Sequence, residues 1–216
     1  MTFTELARKK AEAYWKASFE HPFIRDLATG DLSPTVFRYY LLQDRYYLEH
    51  FGKLYDLIAE QADDPEVRAS LKEHAANLEL GEMAVRETFF SELKITEQEI
   101  EETAIAPTAY HYVSHMYRQL IDGTVNTAFA GMLPCAWLYQ EIGSQLIEAG
   151  SPNPLYQRWI ETYADAAEEV EKERQLLDRL YQESSVDEQQ QMIEAFVISS
   201  KMECDFWEMA LTLEQW

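Results

Sequence analysis

Apolar residues in this chain recur three and four apart rather than at every second position, a period that reads as helix from end to end. No period-two run bounded by turns marks a strand. Leu6, Ala11, Tyr14 and Trp15 fall near one face of a first helix over residues 4–18, which His21-Pro22-Phe23 breaks. A short piece over 22–27 follows, and Gly30 ends that region. Ser33-Pro34 opens a helix expected to reach residue 62, with a hydroxyl N-cap and proline in the first helical position. Asp64-Pro65 repeats that signal for a helix to residue 93. Leu71, Leu78 and Met83 form its expected inner face, with Glu79, Glu82 and Glu87 on a wet one. Thr96 and Glu99 form a capping box for a piece that Pro107 ends quickly.

A helix over 108–122 then stops at Gly123. The next, from about residue 124 to before Gly150, is the most apolar. Pro134 inside it removes one N–H and crowds the carbonyl a turn back, which predicts a kink. Ser151-Pro-Asn-Pro154 turns the chain into a helix over 155–163. From 165 to 188 the chain is strongly acidic around a thin apolar line of Val170, Leu176, Leu177 and Leu180, so a solvated face takes the charge. Ser185 and Glu188 make another capping box, opening a last helix through Ala210. The expectation is one all-α domain over residues 1–216, a helical bundle.

Composition narrows the function more than the fold. The 216 residues are 47% hydrophobic and 13% aromatic, which excludes disorder. A net charge of −21 without a Lys/Arg cluster repels nucleic-acid phosphates and anionic lipid. No apolar run approaches a membrane span, and the start, Met1-Thr-Phe-Thr-Glu-Leu6, is polar rather than an export signal. With two cysteines, the expectation is a cytoplasmic protein with reduced thiols.

Three polar groups stand inside apolar stripes. Cys135 follows Pro134, framed by Met132, Tyr139 and Ile142. A thiol beside a broken helical hydrogen bond is a candidate nucleophile, although a free Cys in an apolar helix is more often a packing residue. Asp44 shares a stripe with Tyr40, Tyr47 and Phe51. Burying an unpaired charge costs several kcal/mol, so Asp44 is either a pocket residue or a core ion-pair partner. Glu203 shares a face with Phe196, Ser199, Ser200, Phe206 and Trp207. Tyr47, Tyr112, Tyr139 and Tyr163 lie near these groups in sequence or on the helices between. Two carboxylates, a thiol and aromatic walls suit a flat, nitrogen-rich heterocycle. His111 and His115 are four apart, but no Asp or Glu stands three residues before any histidine. The di-iron and His-Glu-x-x-His patterns are therefore missing, and no metal is expected.

Phe37-Arg-Tyr-Tyr-Leu-Leu-Gln-Asp-Arg-Tyr-Tyr-Leu48, Ser114-His-Met-Tyr117, Leu133-Pro-Cys-Ala-Trp-Leu-Tyr139 and Phe196-Val-Ile-Ser-Ser200 with Glu203 and Phe206-Trp207 resemble the TenA/thiaminase II family in its cysteine-containing branch. The resemblance runs in order over nearly the whole chain. It implies a haem-oxygenase-like fold, a homotetramer, and no cofactor. It also implies hydrolysis of 4-amino-5-aminomethyl-2-methylpyrimidine, or more slowly thiamin, to the hydroxymethylpyrimidine. By the same resemblance Cys135 is the nucleophile, Glu203 the acid/base and Asp44 the carboxylate that binds the pyrimidine edge. Tyr47 is the hydroxyl near the thiol, and Tyr112, Tyr139 and Tyr163 are pocket residues. Relatives carry a bulky aromatic soon after Tyr163, where this chain has Ala164-Asp-Ala-Ala-Glu-Glu169. Two other readings compete: a non-catalytic pyrimidine-binding regulator, and a haem or quinone oxidase with His21 or His50 as ligand.

Overall fold

The computed structural model describes the backbone of residues 1–216 and the side chains of residues 1–81 and 88–216. The expected orientations of Glu82, Met83 and Glu87 therefore lie outside the described residues. Helices follow one another as α1 (Phe3–Lys10), α2 (Glu12–Phe19), α3 (Pro22–Thr29), α4 (Pro34–Gln61) and α5 (Pro65–Val85). A π-helical turn (Arg86–Phe90) leads to α6 (Ser91–Leu93), α7 (Glu97–Glu102), α8 (Pro107–Asp122) and α9 (Val125–Leu146). Then come α10 (Pro154–Ala164), α11 (Ala167–Glu183) and α12 (Val186–Thr212). No strand occurs among the described residues.

The first expected helix is two. Phe3, Ala7, Ala11 and Trp15 are all fully buried, and a stripe of every fourth residue drifts about 40° per step on a straight helix. The break at Ala11 (φ −89°, ψ 0°) resets the drift, and Trp15 Nε1 then donates to Ser200 Oγ on α12 at 3.0 Å. The helix expected to run to residue 93 is also interrupted. Its π-helical turn widens the register, and both Phe89 and Phe90 are buried there.

The caps are simpler than expected. Ser33 makes no side-chain cap bond, so the fixed φ of Pro34 starts α4 without it. Asp64 does cap α5, accepting from the Glu66 N–H at 2.8 Å. Thr96 accepts from the Glu99 N–H and Ser185 from the Glu188 N–H. The return halves of those boxes are diverted: the Glu99 carboxylate binds Arg38, and the Glu188 carboxylate accepts from the Thr124 hydroxyl at 2.6 Å.

Helix α9 runs through the middle of the bundle and packs most extensively on α12, with α10 and α11 also against it. It continues on both sides of Pro134. Helices α4 and α8 close the remaining sides around α9 and α12. Fully buried Gln43 fixes α8 against α4, donating to the Ala104 carbonyl at 3.0 Å and accepting from the Ala106 N–H at 2.9 Å. That clamp holds Tyr112 of α8 in register with Asp44 and Tyr47 of α4.

Acidic α11 departs from a purely solvated face at one residue. Glu173 is buried and pairs with His74 Nδ1 of α5 at 3.1 Å, while the His74 ring stacks on Tyr55 with centroids 4.3 Å apart.

Candidate active site

Cys135, Glu203, Tyr112 and Tyr47 converge from four helices. Tyr112 donates to Glu203 Oε1 at 2.6 Å. The Cys135 thiol lies close enough to the Glu203 carboxyl and the Tyr47 hydroxyl for both to act on its ionisation. The Tyr47 hydroxyl also approaches Met116 Sδ at 3.8 Å. The aromatic stripe of α4 sets this geometry, since Tyr47 stacks on Phe51 (5.2 Å) and meets Tyr112 at 4.9 Å.

Burial dominates the electrostatics. Glu203 is 2% exposed, and desolvation pushes its carboxyl up to about 8, although the hydrogen bonds from Tyr112 and Cys135 pull it back. It is therefore a neutral acid at neutral pH. Burial also pushes the Cys135 thiol well above its usual value. The neighbouring Glu203 and Asp44 charges raise it further, while the Tyr47 hydrogen bond works against them. The resting pair is thus a thiol and a carboxylic acid. One proton moved off Glu203 leaves a carboxylate placed to take the thiol proton.

The second half of the site surrounds Asp44, which is 5% exposed. Its charge raises the hydroxyls of Tyr40, Tyr139 and Tyr163, each of which burial already pushes well above the usual value. The Tyr139 ring lies 4.8 Å from that of Tyr163 and 4.9 Å from that of Trp207. A small cleft opens beside Asp44 between Leu41, Phe89, Trp159, Thr162 and Tyr163. Phe89 and Trp159 stand there in a chain that has only Ala164 to Glu169 after Tyr163. The backbone at the start of that stretch packs directly on α9, where a Cβ on Gly143 would meet the Ala164 backbone nitrogen at 2.6 Å.

The structure thus brings together Cys135, Glu203, Tyr47 and Tyr112 on one side and Asp44, Tyr139 and Tyr163 on the other. Tyr40 is the residue that the aromatic-stripe pattern hid: it is fully buried among rings, yet its hydroxyl bonds to that of Tyr139 at 3.3 Å. Its position one turn before Asp44 was the available signal. Cys204 is half-buried in contact with Ser18, away from Glu203, and burial raises its thiol.

The histidines stand apart from this cluster. His21 caps α3, accepting from the Phe23 N–H at 3.2 Å, and its Nε2 lies 3.2 Å from Glu208. Both ring nitrogens are engaged, which leaves no lone pair for a haem iron. His50 Nδ1 contacts the Tyr117 hydroxyl at 3.1 Å. Exposed His111 packs edge-on against Trp216, and His115 Nδ1 contacts Gln119 at 3.3 Å. No group of three or more metal-ligating side chains is gathered among the described residues, and none of their helices is long and apolar enough to cross a membrane.

The pattern of the TENA/THI-4/PQQC family matches residues 8–213. An aminopyrimidine aminohydrolase of Bacillus subtilis (strain 168) is 39% identical over 218 aligned residues, covering 100% of this chain and 92% of the relative. Among solved structures, a TenA homologue protein from P. horikoshii OT3 is 27% identical with a TM-score of 0.88, over 98% of this chain and 99% of that one. A domain with a heme oxygenase-like fold from Shewanella denitrificans OS217 superposes with a TM-score of 0.78 at 12% identity, over 99% of this chain and 93% of that one. The last likeness concerns architecture only, and the all-α bundle is haem-oxygenase-like.

Proposed function

The chain belongs to the TENA/THI-4/PQQC family, and we propose that it is an aminopyrimidine aminohydrolase of thiamin salvage. The reaction replaces the amino group of 4-amino-5-aminomethyl-2-methylpyrimidine by hydroxyl, taking up water and releasing ammonia. Thiamin is a slower substrate that releases its thiazole. The observation that carries this reading is the contact of the Cys135 thiol with a carboxyl group held protonated by burial.

In the proposed sequence, Glu203 gives its proton to a ring nitrogen and, now a carboxylate, takes the thiol proton. The Cys135 sulfur forms a bond to the unsubstituted ring carbon, and the protonated ring nitrogen accepts the displaced electron pair. That pair returns through the ring to the exocyclic methylene, expelling the amino group as ammonia with a proton from Glu203. Water then adds its oxygen to the methylene and returns a proton to the Glu203 carboxylate. Loss of the ring nitrogen proton and cleavage of the C–S bond restore the aromatic ring and the thiol. Asp44 holds the amidine edge, with Tyr139 and Tyr163 beside it. Tyr47 steadies the sulfur as it becomes anionic, and Tyr112 stabilises the Glu203 carboxylate.

Residues 1–216 act as one domain in this account and assemble as a homotetramer. The outer face of α8 supports assembly. Tyr110 is 50% and Ile121 78% exposed, in a stretch whose charges are confined to Arg118 and Asp122. Light scattering should give a mass near four chains, and a monomer at micromolar concentration would overturn the assembly.

The function is tested by following aminomethylpyrimidine and thiamin side by side with purified protein and identifying the products. Hydroxymethylpyrimidine from both, faster from the amine, is expected. Binding of both without any turnover would refute the enzyme reading and favour a regulator.

A further inference from the structure

Tyr40 is an aromatic residue whose ring and hydroxyl face different surroundings. Its ring is boxed by Phe23 (5.2 Å), Trp207 (5.9 Å), Phe206 (6.1 Å) and Trp159 (6.3 Å), and no part of it reaches solvent. A phenylalanine would satisfy all of those ring contacts. Its hydroxyl does something else. It donates to the Tyr139 hydroxyl at 3.3 Å, and it lies close enough to the Tyr163 hydroxyl for each to act on the other's ionisation. All three hydroxyls lie within the field of Asp44. A fully buried hydroxyl costs free energy unless it is bonded, and here its partner is Tyr139, a tyrosine beside the carboxylate.

Helix geometry explains why Tyr40 is suited to this. It stands four residues before Asp44 on α4, so the two side chains share a face one turn apart. Tyr139 arrives from α9 and Tyr163 from α10. The α10 side of this junction is set by ring packing, with Tyr163 4.8 Å from Trp159. Without an anchor, each phenol could turn its O–H toward Asp44 or its own neighbour. An anchor from α4 fixes the Tyr139 hydroxyl relative to the carboxylate on the same helix, and the Tyr139 ring, 4.8 Å from that of Tyr163, passes the constraint on.

We infer that Tyr40 is a positioning residue: it never touches substrate but orients Tyr139 and Tyr163 so that, with Asp44, they form the polar edge that reads an aminopyrimidine. The inference rests on the aminopyrimidine reading for its kinetic consequence but not for its structural one.

The test is Tyr40→Phe in the full-length protein, read in two ways. With aminomethylpyrimidine, KM should rise about tenfold while kcat changes less than about twofold, because binding is weakened in ground state and transition state alike. Tyr139→Phe should raise KM at least as much, and the double variant should lose less than the two single losses combined, since the Tyr40–Tyr139 bond is removed in both. In ligand-free protein carrying 13C-labelled tyrosine, Tyr40→Phe should shift the Tyr139 and Tyr163 ring resonances and leave that of Tyr112 in place. An unchanged KM, a loss confined to kcat, or additive effects of the two substitutions would overturn the inference. Unmoved Tyr139 and Tyr163 resonances would overturn it as well. If wild-type protein neither binds nor converts an aminopyrimidine, the functional reading falls, and the resonances still decide the positioning. If Tyr40→Phe does not fold, Tyr139→Phe breaks the same bond from the other side. A shift of the Tyr40 resonance then supports the inference, and an unmoved one contradicts it.

Discussion

Tyr112 of α8 donates a 2.6 Å hydrogen bond to Glu203 of α12 at a point where neither side chain meets bulk water. The bond favours the charged carboxylate and burial opposes it; burial wins, and Glu203 stands at about 8. The acid that the proposed chemistry requires is therefore set by burial against the opposing effects of Tyr112 and Cys135, and each of those side chains can be replaced separately.

The pH dependence follows from that balance. A proton-donating Glu203 is charged above about 8, so turnover should decline as pH rises through that value. Tyr112→Phe removes a group that favours the carboxylate, so the decline should move to higher pH. A pH–rate profile of both proteins checks the sign, and a shift to lower pH would contradict it.

Glu203 also ties stability to pH. Its pKa is raised from 4.5 in the unfolded chain to about 8 in the fold. Its contribution is thus fully present below about pH 4.5 and is lost as pH climbs toward 8, by up to about 1.4 kcal/mol per pH unit. Glu203→Gln has nothing to deprotonate. Denaturant midpoints should show the variant gaining on wild type across that window, and a constant difference would count against a buried neutral acid.

The two carboxylates should separate kinetically. Glu203→Gln should lower kcat by a factor of about 100 or more, the loss of a general acid, with pyrimidine binding nearly kept. Asp44→Ala should mainly weaken binding. Steady-state kinetics and calorimetry on both variants decide the matter, and indistinguishable profiles would contradict the assigned roles.

A structural prediction concerns the buried pair that joins α5 to α11. Burial pulls the His74 imidazole down, but Glu173, helped by Glu169 and Glu73, outweighs it and holds His74 above its ordinary 6.5. The pair's contribution should be full below pH 6.5 and fade as pH passes the raised value. His74→Ala leaves the Glu173 carboxylate buried without that partner and should cost about 3 kcal/mol near pH 6. Chemical denaturation measures it, and a loss under about 1 kcal/mol would show that the pair carries little.

Much of this was legible in the chain because the signals were local. Ser33-Pro34 and Asp64-Pro65 mark the starts of α4 and α5, and Asp44 and Glu203 announce themselves as charges within apolar stripes. What stayed hidden depended on distant partners. Ala11 breaks a helix to keep a four-residue stripe buried, which no cap or proline signals. Glu173 looked like one more solvated charge until α5 brought His74 to it. Tyr40 looked like core because a stripe records which face a ring takes, not where its hydroxyl ends. The diverted capping boxes have the same cause: Arg38 and Thr124 are far from Glu99 and Glu188 in sequence.

The account centres on Cys135 as the nucleophile, with Cys204 as its internal control. Aminomethylpyrimidine should be incubated with wild type, Cys135→Ser and Cys204→Ser, and hydroxymethylpyrimidine and ammonia quantified together. Wild type and Cys204→Ser should form the two products in equal amounts. Cys135→Ser should fold and bind the pyrimidine yet turn over at least about 100-fold more slowly, because a hydroxyl is a poor nucleophile without a dedicated base. Near-normal product formation by Cys135→Ser, or its loss in a folded Cys204→Ser, would contradict the account.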